Sequence, residues 1–168
     1  GELAGLLRVR AFTQDDAHIF CTLEQAVEEF VSVFNFINRL YKVFGFKDYR
    51  VRLGVRSKKE KYLGEDSLWK KAQEKAIEAL DKTGAKYSIS EGDAAFYGPK
   101  ADFMIKDALG REWQCGTVQI DFMLPERFNL KYVDSDGLEK TPVMIHRAPL
   151  GSLERFLAIL IEQYAGIF

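Results

Sequence analysis

Apolar residues recur along this chain with two periods, and the switches between them mark out its elements. Val27, Phe30, Val31, Phe34, Ile37, Leu40 and Tyr41 step by threes and fours, the spacing that lines one face of a helix. Thr22 with Gln25 three residues on forms a capping box ahead of that run, and Gly45 follows it as a stop. A second helix is expected from a cap at Asp66 or Ser67 to about Thr83, with Gly84 as its terminator. A third is expected from Ser152 to Tyr164, burying Leu153, Phe156, Leu157, Leu160 and Ile161. Period-two patterning predicts strands over residues 6–12, 17–21, 49–55, 103–106, 112–124 and 143–146. In the first of these Leu6, Arg8, Arg10 and Phe12 would share a face. Residues 13–16 read as a polar turn, 56–61 as a charged loop, and Asp107-Ala108-Leu109-Gly110 as the turn of a hairpin. Hairpin-joined strands interrupted by helices predict an α+β fold with an antiparallel sheet. No internal repeat, low-complexity tract or linker divides the chain, so one domain is expected.

Composition narrows the class without naming it. A chain of 168 residues with 47% hydrophobic and 13% aromatic content can bury one ordinary core. The formal net charge of −1 supplies no global basic field for nucleic acid. Cys21 and Cys115 lie far apart and form no CxxC pair, which argues against a disulfide scaffold and for an intracellular, cytoplasmic setting. No apolar run reaches the ~18 residues of a membrane span, and nothing resembles a signal peptide.

Taken alone, the chemistry-bearing residues leave alternatives open. His18 and His146, the only histidines, carry no local ligand signature at their separation. Arg8, Arg10 and Arg155 read equally well as solvated charges, Asp15-Asp16 as a solvated turn, and Gln114 and Gln119 as outward strand residues. Phe12, Trp113 and Phe122 read as core.

Three stretches change that balance: RVRAFTQDDAHIFC at 8–21, AFYGPKADF through WQCGTVQIDF at 95–122, and MIHRAPLGSLERF at 144–156. They closely resemble the threonyl-tRNA synthetase family over essentially the whole chain, and QDDAHIFC and WQCGT are specific to that synthetase among class II enzymes. The first stretch is similar to the end of class II motif 2 and the last to motif 3. The resemblance implies the class II architecture, an antiparallel sheet flanked by helices. It also implies that residues 1–168 are a partial catalytic domain, incomplete at the N-terminus and without editing or anticodon-binding domains.

The roles implied are those of an enzyme that activates threonine with ATP and loads it onto tRNA(Thr). Arg8, Arg155 and Lys100 would be catalytic, handling phosphate and carboxylate charge. Arg8, Val9, Phe12, Gln114, Thr117 and Arg155 would bind ATP with its Mg2+, Phe12 stacking under adenine. Gln14, Asp16, Tyr97, Gln114, Cys115 and Gln119 would surround threonine. His18 and His146 match two ligands of a Zn2+ whose family Cys ligand precedes Gly1. Such a metal would bind the amino and hydroxyl groups of threonine and so reject valine. With that Cys and the α-phosphate arginine outside it, the isolated chain is expected to hold zinc weakly, through two His plus water or Cys115. It is further expected to make little adenylate and to lack the parent's homodimer contacts. The alternative is a non-catalytic synthetase-like fragment or paralogue that binds threonine or ATP weakly. The seryl and prolyl enzymes fit less well, because QDDAH and the histidine pair point to the threonyl family.

Overall fold

The computed structural model of the chain describes residues 2–57 and 62–167. Six strands form one sheet in the order β1-β8-β5-β4-β2-β3: β1 (Ala17–Cys21), β2 (Tyr49–Val55), β3 (Tyr87–Glu91), β4 (Lys100–Lys106), β5 (Glu112–Asp121) and β8 (Val143–Ala148). A two-stranded ribbon pairs β6 (Tyr132–Val133) with β7 (Glu139–Lys140). The helices are α1 (Ala26–Val43), α2 (Asp66–Thr83), the short α3 (Met123–Arg127) and α4 (Leu153–Gln163). This is a mixed sheet with flanking helices. No described helix is long and apolar enough to cross a membrane.

The long helix forms where its period requires. Val27, Phe30, Phe34, Ile37 and Tyr41 are buried, and α1 packs on α2 and across β5 and β8. Thr22 and Gln25 make the reciprocal capping-box bonds, Thr22 N to Gln25 Oε1 at 2.9 Å and Gln25 N to Thr22 Oγ1 at 3.3 Å. Tyr41 sits at the centre of an aromatic cluster with Phe46, Tyr49, Phe103 and Phe156, at centroid separations of 5.3–6.2 Å. That cluster joins α1, β2, β4 and α4 into one core. Phe46, Tyr49 and Phe103 meet Tyr41 edge to face and Phe156 stacks on it, geometries that add specificity to the area each ring buries.

The expectations fail where tertiary contacts override local pattern. Residues 6–12 form no strand: Leu7 N and Arg8 N both donate to Ala4 O, and the backbone folds back on itself. Leu6 and Phe12 are about half exposed, so the alternation met no core face. The sheet is mixed, because the unpredicted β3 runs parallel to β2. Helix α2 is entered from Glu65 with no side-chain cap, and Asp66 is its first residue; Gly84 does close it at φ 68°. β5 stops at Asp121, not at 124, because that carboxylate accepts from Met123 N at 2.7 Å and Leu124 N at 2.9 Å and starts α3. On α4 only Phe156 of the five expected positions is fully buried, joined by the unforeseen Ile159; Leu153, Leu157 and Ile161 are exposed. The expected charged loop at 56–61 lies in part outside the described residues.

Candidate active site

The stretches 8–21, 95–122 and 144–156 meet on one side of the sheet. Residues 13–16 do not form a free turn. They lie against the start of α4: Leu153 N donates to Thr13 O, Gln14 bridges to Ser152, and Asp15 accepts from Leu150 N at 3.0 Å and Gly151 N at 3.2 Å. Two glycines allow this approach. A Cβ at Gly151, which has φ +71°, would collide with the Cys115 carbonyl, and one at Gly116 would lie 2.5 Å from Pro149 O and 2.7 Å from the Tyr41 hydroxyl.

Between these walls lies a cleft of about 310 Å³ reached by Arg8, Val9, Phe12, Gln14, Gln114, Cys115, Thr117 and Arg155. Six of the residues expected to bind ATP are therefore brought together. Ser152 caps α4 by accepting from Arg155 N at 3.2 Å. The Arg155 side chain then turns into the cleft, donating from Nε to Leu7 O at 2.8 Å and from Nη1 to Gln114 O at 2.7 Å. Its guanidinium lies 5.2 Å from the Trp113 ring centroid, with Arg8 at 5.9 Å. Trp113 is thus partly buried against the core and offers a face to cations, whereas Phe122 is buried in the core. Cys115 lines the cleft through a buried side chain, and burial pushes its thiol up to about 12. It is a packing residue and not a thiolate at neutral pH.

A second cluster lies further along the same strands. His18 and His146 are directly paired across β1 and β8, with ring centroids 4.7 Å apart in edge contact. Tyr97 stacks on His146 at 4.6 Å and its hydroxyl donates to Gln119, which is itself paired with His146 across β5 and β8. Burial, then the charges of Asp121 and Asp16, push the Tyr97 hydroxyl up to about 12. Asp16 is exposed and bears on Tyr97 through that charge, while Asp15 does the anchoring. His146 Nε2 lies 2.8 Å from Asp121 Oδ2, within a carboxylate that is 0% exposed. A carboxylate accepts only, so in the neutral ring Nε2 carries the proton and Nδ1 presents the lone pair. Cys115 does not join this cluster. It lies four residues along β5 from Gln119, about 13 Å at the rise of a strand. Among the described residues no set of three His, Cys, Asp or Glu side chains converges in ligand geometry.

One hydrogen bond connects the clusters. Gln119 Nε2 donates to Thr117 Oγ1 at 3.3 Å. The Thr117 hydroxyl donates in turn to Asp102 Oδ1 at 3.1 Å. Asp102 is fully buried and also takes Gln114 Nε2 at 2.9 Å and Lys100 Nζ at 2.8 Å. Neither Asp102 nor Asp121 was expected from the sequence. The signal available was an acid inside an apolar strand, in KADFMI and VQIDF, where a buried carboxylate demands partners.

The class II core model for tRNA synthetases (G, H, P, S and T) matches residues 1–164. The chain belongs to the class II tRNA-synthetase core family. It is 58% identical over 169 aligned residues to the threonine–tRNA ligase of Thermus thermophilus, an alignment covering 100% of this chain and 26% of that protein. This core chain therefore spans about a quarter of the length of such relatives. Its structure is similar to one titled the RNA binding domain of threonyl-tRNA synthetase from Cryptosporidium parvum Iowa II, with a TM-score of 0.90 and 48% identity, covering 98% of this chain and 41% of that one. An apo histidyl-tRNA synthetase from S. aureus, at 19% identity and a TM-score of 0.61, covering 92% of this chain and 41% of its own, shares the fold.

Proposed function

We propose that this chain supplies the adenylate-forming site of a longer threonine–tRNA ligase. In that reaction a threonine carboxylate oxygen attacks the α-phosphorus of ATP, the bond to the bridging oxygen breaks, and pyrophosphate leaves. The threonyl group then passes to tRNA(Thr). The observation that carries this reading is the Gln119–Thr117 hydrogen bond, which joins an arginine-lined cleft to a two-histidine cluster on one sheet.

The cleft suits a nucleotide. Arg8 and Arg155 present cations at its edge, and the exposed Phe12 ring offers a stacking face. The reading places the end of motif 2 at Arg8 and motif 3 at Arg155. Lys100 and Arg8 would neutralise charge developing on the phosphate, which is most of what phosphoryl chemistry asks of a protein; bound Mg2+ would share that task. Gln14, Asp16, Tyr97, Gln114 and Gln119 would orient threonine, Asp16 accepting from its ammonium or hydroxyl.

The histidine cluster fits zinc as part of a ligand set. Two imidazoles are adjacent, and the Asp121 bond to His146 Nε2 would leave Nδ1 as the nitrogen available to a metal. His18 and His146 would hold the ion, which when bound would act as a Lewis acid for the amino and hydroxyl groups of threonine. Tyr97, stacked on His146, would limit the space beside it and help exclude water. tRNA(Thr) and a second copy of the longer chain are the proposed macromolecular partners.

The test is threonine-dependent ATP–pyrophosphate exchange by the full-length protein. Exchange with threonine and not valine is expected, falling by about two orders of magnitude or more in Arg8→Ala and His18→Ala. Exchange that is absent, or equal with valine, would overturn the assignment.

A further inference from the structure

We propose that Asp102 is a positioning residue that sets Lys100, Gln114 and Thr117 for adenylate formation; this rests on the reading above. Its side chain is 0% exposed and sits in the middle of β4. Four side-chain donors converge on it. Oδ1 accepts from Gln114 Nε2 at 2.9 Å and Thr117 Oγ1 at 3.1 Å, and Oδ2 from Lys100 Nζ at 2.8 Å and Arg52 Nη2 at 3.2 Å. Gln114 and Thr117 line the cleft, Lys100 is the lysine that the proposed reading sets near the phosphate, and the fourth donor, Arg52, also pairs with Asp93 Oδ2 at 3.2 Å.

The placement follows from the sheet. Asp102 is the register partner of Thr117 on β5 and of Arg52 on β2. The pairing shifts between Asp102 and Met104, and this bulge-like irregularity sits where Gln114 reaches back to the carboxylate. Lys100, two residues earlier, shares the face of Asp102. A lysine on four methylenes has many rotamers, and fixing it near a reacting phosphate is costly unless a partner holds it beforehand. A charge-assisted bond to a buried carboxylate does that, and the carboxylate's other oxygen fixes the Gln114 amide and the Thr117 hydroxyl in the same act. Only an acid can accept all four donors. An Asn of the same shape offers one oxygen and turns an amide N–H₂ toward a cation.

The experiment follows Lys100 directly. Full-length protein is pulse-labelled with an amine-acylating reagent and the modified lysines are quantified by mass spectrometry, with the exposed Lys106 of the same strand as internal reference. Unaltered Lys100 is expected to react about tenfold more slowly than Lys106, as a partly buried, paired amine should. Equal rates would overturn the proposal without any variant being made. Asp102→Asn is expected to raise Lys100 labelling about fivefold with Lys106 unchanged. It should also lower kcat for exchange about 10- to 100-fold while the threonine KM stays within about threefold. Asp102→Glu should recover part of both. A merely structural aspartate would lower the melting temperature without selective release of Lys100, and that outcome refutes positioning. Absence of exchange in the unaltered enzyme would refute the threonine-activating reading, while the labelling ratio still decides what Asp102 does.

Discussion

The most exacting prediction concerns one oxygen in the core. Tyr41 is completely buried, and its hydroxyl accepts from the Gly116 amide at 2.8 Å. Gly116 lies between Cys115 and Thr117, both buried, on the strand that forms the cleft floor. Tyr41→Phe keeps the ring and its contacts with Phe46, Tyr49, Phe103 and Phe156 but leaves that amide without its partner. Losing an average hydrogen bond costs about 1 kcal/mol, and stranding a buried donor about 1–3 kcal/mol. The residues on either side of the amide are buried, so we expect the middle of that range, about 2 kcal/mol. For a domain of this size that is a fall of about 4–8 °C in melting temperature. Urea unfolding followed by circular dichroism gives the energy, and hydrogen exchange at the Gly116 amide gives the location. Tyr49→Phe is the control: its half-buried hydroxyl bonds Asn38 Oδ1 at 2.8 Å, and water can replace it. A loss below about 0.5 kcal/mol for Tyr41→Phe, or unchanged exchange at Gly116, would refute the reasoning.

Other expectations are as direct. Gly151→Ala should destabilise by about 2 kcal/mol or more and open the wall between 13–16 and α4, because φ +71° and the Cys115 carbonyl both exclude a methyl group; a neutral effect in thermal melts would contradict the packing. Stability should fall as pH rises from about 9 toward 12. Cys115 is raised from 9.0 to about 12, Cys21 from 9.0 to about 11 and Tyr97 from 10.0 to about 12, each chiefly by burial. In that window the folded state holds protons the unfolded chain has released, so the slope is negative. A urea midpoint unchanged between about pH 8 and 10.5 would count against it. Asp121→Asn should weaken zinc binding by full-length protein about 10- to 100-fold, by competition with a chromophoric chelator, and fray α3; equal affinity would show that the His146 contact orients nothing.

The elements with a sustained period were legible: α1 from its seven apolar positions, β1 and β2 at their observed bounds, and the hairpin at Asp107, where the side chain takes Leu109 N, Arg111 N and Trp113 Nε1. Residues 6–12 were misread because alternation needs a partner strand, and their backbone donors are satisfied by Ala4 instead. β3 escaped because Tyr87–Glu91 exposes both faces in part and is held by parallel pairing to β2, which sequence does not announce. Candidates such as Phe12, Gln114 and Gln119 came only from the family resemblance, since their types and spacing are ordinary. The carboxylates Asp102 and Asp121 were not legible even so, because their role exists only once strands distant in sequence bring donors to them.

The two arginines that the resemblance treats alike are physically unlike. Arg8 is exposed and lies over the face of Trp113 at 5.9 Å; in the proposed reading it would follow a phosphate. Arg155 is tied into three segments at once, through Leu7 O, Gln114 O and the Trp113 ring, at the capped start of α4. It clips residue 7 to β5 and so shapes the cleft before any nucleotide enters. Arg155 therefore builds the wall of the cleft, whereas Arg8 keeps its donors open toward it, a division that suits a site whose frame is rigid before a ligand arrives. A loss of activity in Arg155→Ala conflates the two tasks, whereas the same substitution at Arg8 isolates the charge.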